Sequence, residues 1–502
     1  MPSKDFIVAI ELGSSTLRGI AGRKNSDGSL TVSAYASDDS SSYIRKGIVY
    51  NIDKTVQSIT NIVNKLKATL NREISQVYVG VGGQSIISVK NEIIRDLPKD
   101  TVITQQIVNE LMDANRNKTY SDKTILDVAI QEYKVGNDLQ NDPSGIQADR
   151  LTGNFLNILW RTAFYNKLTD CFDRARVKIA ELDIAPLALA DSILDDTQKR
   201  AGCLLVDLGA HTTTMLVYHK NILRHIAVIP LGSNNITKDL TSLNIEEDVA
   251  EKMKKKYGNA YSEPQDKDKT LDYPIDIDHT VSSVKFQQVI EARVQEIIEN
   301  VWAQVPMEYC SKLNGGIVLT GGGSNLKNIA TAFRKKTNIE KVSVASFIND
   351  SVNAASKTIN LPHDGTMNTI LGLLMKGDLN CDGGERDNGI FANVVDPQKT
   401  VAQSQPTPET TYIAGGTTGV RTPSEIAHAA EMQRKQDTAE WENAVADNTV
   451  SAYESYKEKY PGGLHVAEAN SKIEALNNKK PNVKKGFGKL WKAFKDMVSE
   501  EE

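Results

Sequence analysis

Short apolar runs punctuate the chain at three places. Phe6-Ile7-Val8-Ala9-Ile10 ends in Glu11-Leu12-Gly13-Ser14-Ser15-Thr16, and a second run, Leu17 to Ala21, follows. Cys203-Leu204-Leu205-Val206 ends in Asp207-Leu208-Gly209-Ala210-His211-Thr212, and Thr213 to Val217 follows. Apolar runs bounded by glycine and small polar residues predict buried strands joined by tight turns. A further turn and third strand come next in both: Asn25-Ser26-Asp27-Gly28 then Leu30 to Tyr35, and Lys220-Asn221 then Ile222 to Ile229. The third place, Gly316 to Thr320, runs into Gly321-Gly322-Gly323-Ser324-Asn325 and a predicted helix that Ser324 or Asn325 is suited to cap. Near residue 490 the period changes. Phe487, Leu490, Trp491, Phe494, Met497 and Val498 recur at helical spacing and form one apolar stripe. Lys485, Lys489, Lys492 and Lys495 lie mostly on the opposite side.

That last stripe predicts a helix lying in a membrane surface. It is too short and too charged to span a bilayer, which takes roughly 20 apolar residues. A helix docked on its own core is the plainer reading. It fits less well, because the polar face is almost purely lysine and the stripe follows the polar stretch Asn477 to Pro481.

The two hairpins share a chemical rationale. A tight turn of glycine and small hydroxyl residues lets backbone N–H groups approach a phosphate. The acid ending each first strand is suited to holding Mg²⁺ through water. One such turn is weak evidence, since Gly-Ser turns occur in any hairpin. Two in matching context predict a nucleotide clamped between two halves. The Gly321–Gly323 turn adds room for a flat ring or a phosphate; by itself it is only a tight strand-to-helix connection.

Length and charge narrow the class. At 502 residues the chain exceeds the roughly 250–300 that a single core serves, so several domains are expected. Apolar content of 40% and charged content of 25% are ordinary for a folded protein. The net charge of −5 is uneven: residues 479–502 carry seven lysines against four acids, which leaves the body at −8. An acidic body argues against nucleic acid as a partner, and a basic tail favours an anionic surface. Cys171, Cys203, Cys310 and Cys381 are too far apart for a metal motif or a disulfide framework. The start, Met1 to Asp5, leads straight into a strand, so no signal peptide is expected.

The three motifs, in this order, resemble the phosphate-1, phosphate-2 and adenosine motifs of the actin-like ATPase superfamily. Across residues 5–376 the chain is similar to the FtsA family of bacterial cell-division proteins. Tyr78-Val79-Gly80-Val81-Gly82-Gly83-Gln84 resembles the opening of that family's 1C subdomain, and Asp142 to Ile146 with Arg150-Leu151 its middle. Pro230 to Leu240, with Gly232, resembles the connecting motif after phosphate-2. Ala250 to Gly258 resembles a helix whose Glu251 and Lys254, on one face, flank adenine and ribose.

The resemblance implies an α/β, actin-like fold of two domains about a nucleotide cleft. The first half is expected over residues 1–200, with a 1C-type subdomain at about 80–165. The second is expected over 201–377, with a small subdomain at about 231–309. ATP and Mg²⁺ are the implied cofactors. Glu11 and Asp207 would hold the metal through water. Gly13, Ser14, Ser15, Thr16, Asp207, Gly209, Ala210, His211, Thr212, Gly232, Glu251, Lys254, Gly321, Gly322, Gly323 and Ser324 would line the nucleotide. The implied partners are FtsZ, an anionic phospholipid membrane, further copies of the chain and other division proteins. The implied place is the cytoplasmic face of the cell membrane at the division site. Membrane contact would fall to Phe487, Leu490, Trp491, Phe494, Met497 and Val498, helped by Lys485, Lys489 and Lys492.

Three departures touch the chemistry. The usual phosphate-1 acid is Asp, where this chain has Glu11; the usual basic residue of that loop is Thr16; and Ala210 and His211 stand where the second loop usually has glycine. Phosphoryl transfer depends on positioning, so ATP binding with slow or negligible hydrolysis is expected. Competing readings are an active actin-fold ATPase or sugar kinase, which would need intact loops, and a PilM-like pilus-assembly homologue, which would lack the basic terminal helix. A DnaK-type chaperone would need a β-rich domain after the ATPase.

After Lys376 the composition turns to Gly, Pro, Asn and Thr, predicting a flexible linker over 378–423. Residues 424–477, with Trp441, Tyr453, Tyr456 and a break at Pro461-Gly462-Gly463, predict a helical hairpin resembling a tetratricopeptide unit. Asn448 and Thr449 are suited to cap its tyrosine-bearing helix. Residues 478–502 complete the chain as linker and membrane-surface helix.

Overall fold

The computed structural model describes residues 6–263, 265, 270–385 and scattered positions between 441 and 473. The terminal stripe and its lysines, and most of the predicted linker, lie outside the described residues. The chain separates into two units, residues 1–394 and 395–502.

In the first unit the two hairpins of the sequence each seed a mixed sheet. β1 (Phe6–Leu12) and β2 (Thr16–Lys24) pair antiparallel, from Phe6 opposite Arg23 to Leu12 opposite Leu17. β3 (Leu30–Asp39) continues the meander, and Val77–Val81 lies parallel to β1 on its other side. Ile179–Ile184 and Val352–Ala354 close the edges of this six-stranded sheet.

The second sheet repeats the pattern. Cys203–Leu208 pairs antiparallel with Thr213–His219, which pairs with Ile222–Ile229, while Gly316–Thr320 lies parallel to the first of them. Parallel strands buried on both faces read as continuous apolar runs. Ile7, Val8, Ala9 and Ile10 are fully buried, as are Cys203, Leu204, Leu205 and Val206.

Helices cover these sheets by amphipathic stripes. Ile52–Leu70 is capped by Asn51, whose side chain accepts from the Lys54 N–H, and stops at Asn71 in a left-handed conformation. It buries Thr55, Ser58, Ile59, Ile62, Val63 and Leu66, one face at helical spacing. Ser283–Gln304 does the same for the second sheet with Phe286, Ile290, Val294, Ile297, Ile298 and Val301.

Residues 87–161 form three long antiparallel strands and the helix Gln105–Arg116 around a small separate core of Ile103, Val108, Leu111, Tyr133, Leu151 and Phe155. This insertion is hydrogen-bonded into the second sheet, with Ile87 opposite Ala227. Arg224, which is 6% exposed, bonds both carboxylate oxygens of Glu132 across the junction, at 2.7 and 3.0 Å. No pattern in the sequence pointed to that junction, since it joins segments far apart in the chain.

The expected linker begins later than residue 378. Asp382–Glu385 pairs with Arg72–Ile74. Cys381 is buried and its N–H bonds the Phe6 carbonyl, and Tyr78 Oη receives the N–H groups of Asp378 and Leu379. A buried tyrosine hydroxyl needs partners, and this stretch supplies them.

In the second unit, Trp441, Ala444, Tyr453, Tyr456 and Ala469 form a small apolar cluster. The helix Val450–Lys459 is capped by Thr449, whose Oγ1 accepts from the Ala452 N–H. Trp441 stacks on His465 at 5.0 Å.

Candidate functional site

The turn between β1 and β2 is fixed from behind. Ser40 Oγ donates to the Gly13 carbonyl at 2.6 Å, and the Ser40 N–H donates to the Ser15 carbonyl. Ser14 is buried, and its Oγ accepts the Gly47 N–H at 2.7 Å. Its side chain is therefore a fastener, which leaves the hydroxyls of Ser15 and Thr16, 3.4 Å apart, as the open ones. Strand alternation carries Arg18 to the same face as Thr16. Its Nη1 lies 3.4 Å from Glu11 Oε2, and both side chains are largely buried. The loop that lacks a basic residue at Thr16 thus has one two positions later, a substitution visible only once β2 is seen to bring Arg18 beside Glu11.

The second turn mirrors the first. The Gly209 N–H bonds the Thr212 carbonyl. The carbonyls of Gly209 and Ala210 accept the N–H groups of Ser233 and Asn234, at 2.9 and 2.8 Å, so the loop sits on the first turn of the helix Ser233–Leu240. Gly232, just before that helix, lies hard against Ala210. The Asn234 amide donates to His211 Nε2 at 2.9 Å. Burial first, then Lys238 and Lys46, hold His211 below its ordinary pKa. A neutral, accepting imidazole follows, so His211 brings no charge to a phosphate.

The Glu11 charge acts on Asp207. Burial, then the Glu11 charge, pushes Asp207 up to about 7, against the relief that Arg18 provides. Burial likewise raises Glu11, with Arg18 opposing. Two carboxylates sharing one guanidinium lack a full counter-charge. Carboxylate oxygens are the donors a hard divalent cation prefers, so these residues fit Mg²⁺. Among the described residues no group of three or more His, Cys, Asp or Glu is arranged to hold a metal. A cation here would keep most of its water shell.

The glycine turn after Gly316–Thr320 departs from expectation. No helix starts at Ser324 or Asn325: Gly322–Asn325 is a single 3₁₀ turn, and the α-helix begins at Ile329. Ser324 Oγ bonds back to the Gly321 carbonyl, and the Asn325 amide to Gly322 and Asp364 carbonyls. These side chains hold the turn instead of capping a helix. Nor do all three glycines leave room for ligand. Gly321 has φ +82°, and a Cβ there would stand 2.2 Å from Asp207 Oδ1. Gly323 packs on Leu208 in the same way, and only Gly322 faces space, with its nearest neighbour at 3.5 Å. Under the turn, Leu208, Ile236, Ile298, Leu326 and Phe333 line a small apolar pocket.

Glu251 and Lys254 are brought together, but chiefly with each other. Lys254 Nζ lies 2.6 Å from Glu251 Oε2, 2.8 Å from Thr237 Oγ1 and 3.0 Å from the Ser233 carbonyl. Burial lowers the Lys254 pKa, with Glu251 opposing. Lys254 ties the helix Glu247–Tyr257 to Ser233–Leu240, while Glu251 is the more exposed partner.

Two family models match the chain: "Cell division protein FtsA" over residues 204–359 and "SHS2 domain inserted in FTSA" over residues 83–159. The chain is 30% identical over 337 residues to the cell division protein FtsA of Porphyromonas gingivalis, covering 65% of this chain and 70% of that one. It is 31% identical over 332 residues to the FtsA of Neisseria meningitidis serogroup B, covering 64% and 80%. Among solved structures, a PilM–PilN type IV pilus biogenesis complex aligns with a TM-score of 0.49 at 16% identity, over 74% of this chain and 97% of that one. Among the described residues no helix is long and apolar enough to cross a membrane.

Proposed function

The chain belongs to the FtsA family of cell-division proteins, and from that premise we propose that it is an ATP-binding, self-associating tether. It would fix FtsZ filaments to the cytoplasmic face of the membrane at the division site. The observation that carries the nucleotide half is the pair of matching hairpins, each ending its first strand in an acid, with the Glu11 charge acting on Asp207.

In this reading the turns at Gly13–Thr16 and Gly209–Thr212 offer N–H groups to the phosphates from two sides. Glu11 and Asp207 would hold Mg²⁺ through its waters, and the bound ion would supply charge neutralisation at the phosphates. Gly322 and Glu251 lie toward the adenosine. The residues present bind better than they catalyse. Thr16 carries no charge, and His211 is neutral. ATP then serves to hold the two halves together. Turnover is expected well below about one per second, where typical enzymes run at roughly 1–1000. A steady-state phosphate-release assay at or above that rate would refute the binding-only role.

The membrane half rests on the terminal stripe. Each apolar side chain contributes at most about 1.5–3 kcal/mol if fully buried. Each lysine near an anionic leaflet adds about 1 kcal/mol, and ordering the helix takes back much of the sum. One copy binds reversibly, whereas a filament of many copies gains avidity. Nucleotide-dependent assembly would thereby control attachment.

Liposome flotation tests the whole reading, using the full chain and Trp491→Glu with and without FtsZ and ATP. The wild-type chain should float on anionic vesicles and carry FtsZ with it, and the variant should not. If neither floats, the tail serves a protein partner or docks on the chain itself. A pilus-assembly role is not favoured, because the sequence identity runs to FtsA proteins.

A further inference from the structure

A basic hairpin that the sequence motifs do not include lies against the first phosphate loop. β4 (Ile44–Arg45) and β5 (Ile48–Val49) are joined by the two residues Lys46 and Gly47. Both have positive φ, +52° and +73°, as in a type I′ turn. Such turns favour Asn-Gly or Gly-Gly, because an L side chain is strained in the left-handed region. A Cβ on Gly47 would stand 2.4 Å from Gly83 Cα, so the hairpin tip presses directly on the Gly82-Gly83 backbone. The Gly47 N–H is the donor that Ser14 Oγ accepts, at 2.7 Å, which pins the tip to the loop at Gly13–Thr16. The Lys46 carbonyl receives the Gln84 N–H at 2.9 Å.

The backbone of Lys46 is thus held on three sides, while its side chain is exposed. Neighbouring Arg45 is occupied, its guanidinium stacked 3.9 Å over the Tyr50 ring. Among the described residues no carboxylate pairs with Lys46. Its charge reaches His211 in the opposite loop, where it helps lower the imidazole pKa. A strained residue kept in place by its surroundings points to a function for its side chain.

We propose that Lys46 supplies a second cation, beside the Glu11-paired Arg18, for the terminal phosphates of a nucleoside triphosphate. The proposal rests on the nucleotide reading above. The hairpin tip is bonded to the first phosphate loop through Ser14, and the Lys46 charge acts on His211 of the second. A flexible lysine suits a phosphate whose position changes as the two halves close.

The test is calorimetric titration of the full chain with ATP and with adenosine in magnesium buffer, for wild type, Lys46→Gly and Lys46→Arg. Glycine relieves the positive φ, so Lys46→Gly should melt no lower than wild type, which removes misfolding as an explanation. Its ATP affinity should fall roughly tenfold, the scale of one charge-assisted phosphate contact. Adenosine affinity should stay within about twofold, and Lys46→Arg should keep most of the ATP affinity. Unchanged ATP affinity in Lys46→Gly overturns the assignment while leaving the nucleotide reading intact, as does an equal loss for ATP and adenosine. A wild-type chain that binds no ATP overturns both.

Discussion

Asp207 and Gly321 touch, and their contact sets what each position tolerates. Gly321→Ala must place a methyl 2.2 Å from Asp207 Oδ1 at φ +82°, and the left-handed conformation alone costs about 1–2 kcal/mol. Loss of at least that much stability is expected in urea unfolding, with nucleotide affinity falling as well. Gly322→Ala, with open space around it, should be nearly neutral to stability, and equal losses in the two variants would contradict this packing. Asp207 also predicts a pH dependence. Its folded pKa of about 7 lies above its ordinary value of 3.8. The native state therefore holds the proton more tightly than the unfolded chain, and the Asp207 contribution falls as pH rises from about 4 to about 7. Asp207→Asn removes that loss. The variant should be more stable than wild type at about pH 8, and the difference should close toward about pH 4. A gap that does not change with pH would mean that another group titrates. The acids and the small loop residues were legible in the sequence, because chemistry and spacing recur there. Arg18 and Lys46 were not, since their relevance depends on which face of β2 and which hairpin tip meets the cleft.

At the scale of elements, duplication was the legible feature and fastening the hidden one. The repeated strand–turn–strand pattern led to two meanders, each with a parallel strand beside its first member. Lys254 shows the limit of reading motifs: helical spacing put it beside Glu251, but only packing turned it inward onto Thr237 and Ser233. The junction of the insertion with the second sheet was equally unreadable. Breaking its ion pair should be asymmetric. Glu132→Ala leaves Arg224 buried without its carboxylate and should cost roughly 3–5 kcal/mol. Arg224→Ala should cost less, because Glu132 retains more access to water. The Arg224 hydrogen bond holds Glu132 below its ordinary pKa of 4.5. The pair's contribution is thus present above about pH 4.5 and lost as pH falls below it. Acid titration of wild type and Glu132→Ala by circular dichroism checks this, and parallel curves would argue against the pair.

At the scale of the molecule, the candidate nucleotide residues lie in the unit of residues 1–394, and the terminal apolar stripe belongs to residues 395–502. Saturating ATP should therefore stabilise the first unit by about 2.7 kcal/mol at a hundredfold excess over the dissociation constant. The gain should be the same in Trp491→Glu. Differential scanning calorimetry with and without ATP measures it, and a shift that vanishes in the variant would place part of the nucleotide response in the tail. Among the described residues the apolar cluster around Trp441 is small, and a lone helical repeat is marginal by itself. Deleting residues 424–477 without any division phenotype would exclude a partner-binding role for it.

The sequence by itself determined the duplicated hairpins, the acid ending each first strand, the glycine turn and the spacing of the terminal stripe. Each depends on local spacing and residue chemistry, which survive in one dimension. Tertiary structure alone decided that Ser14, Gly321 and Lys254 act as fasteners, that Arg18 lies beside Glu11, that the Lys46 hairpin is bonded to the first loop, and that the insertion joins the second sheet. These are contacts between segments distant in the chain. Their energies come from burial and pairing, and neither exists until the fold has brought the partners together.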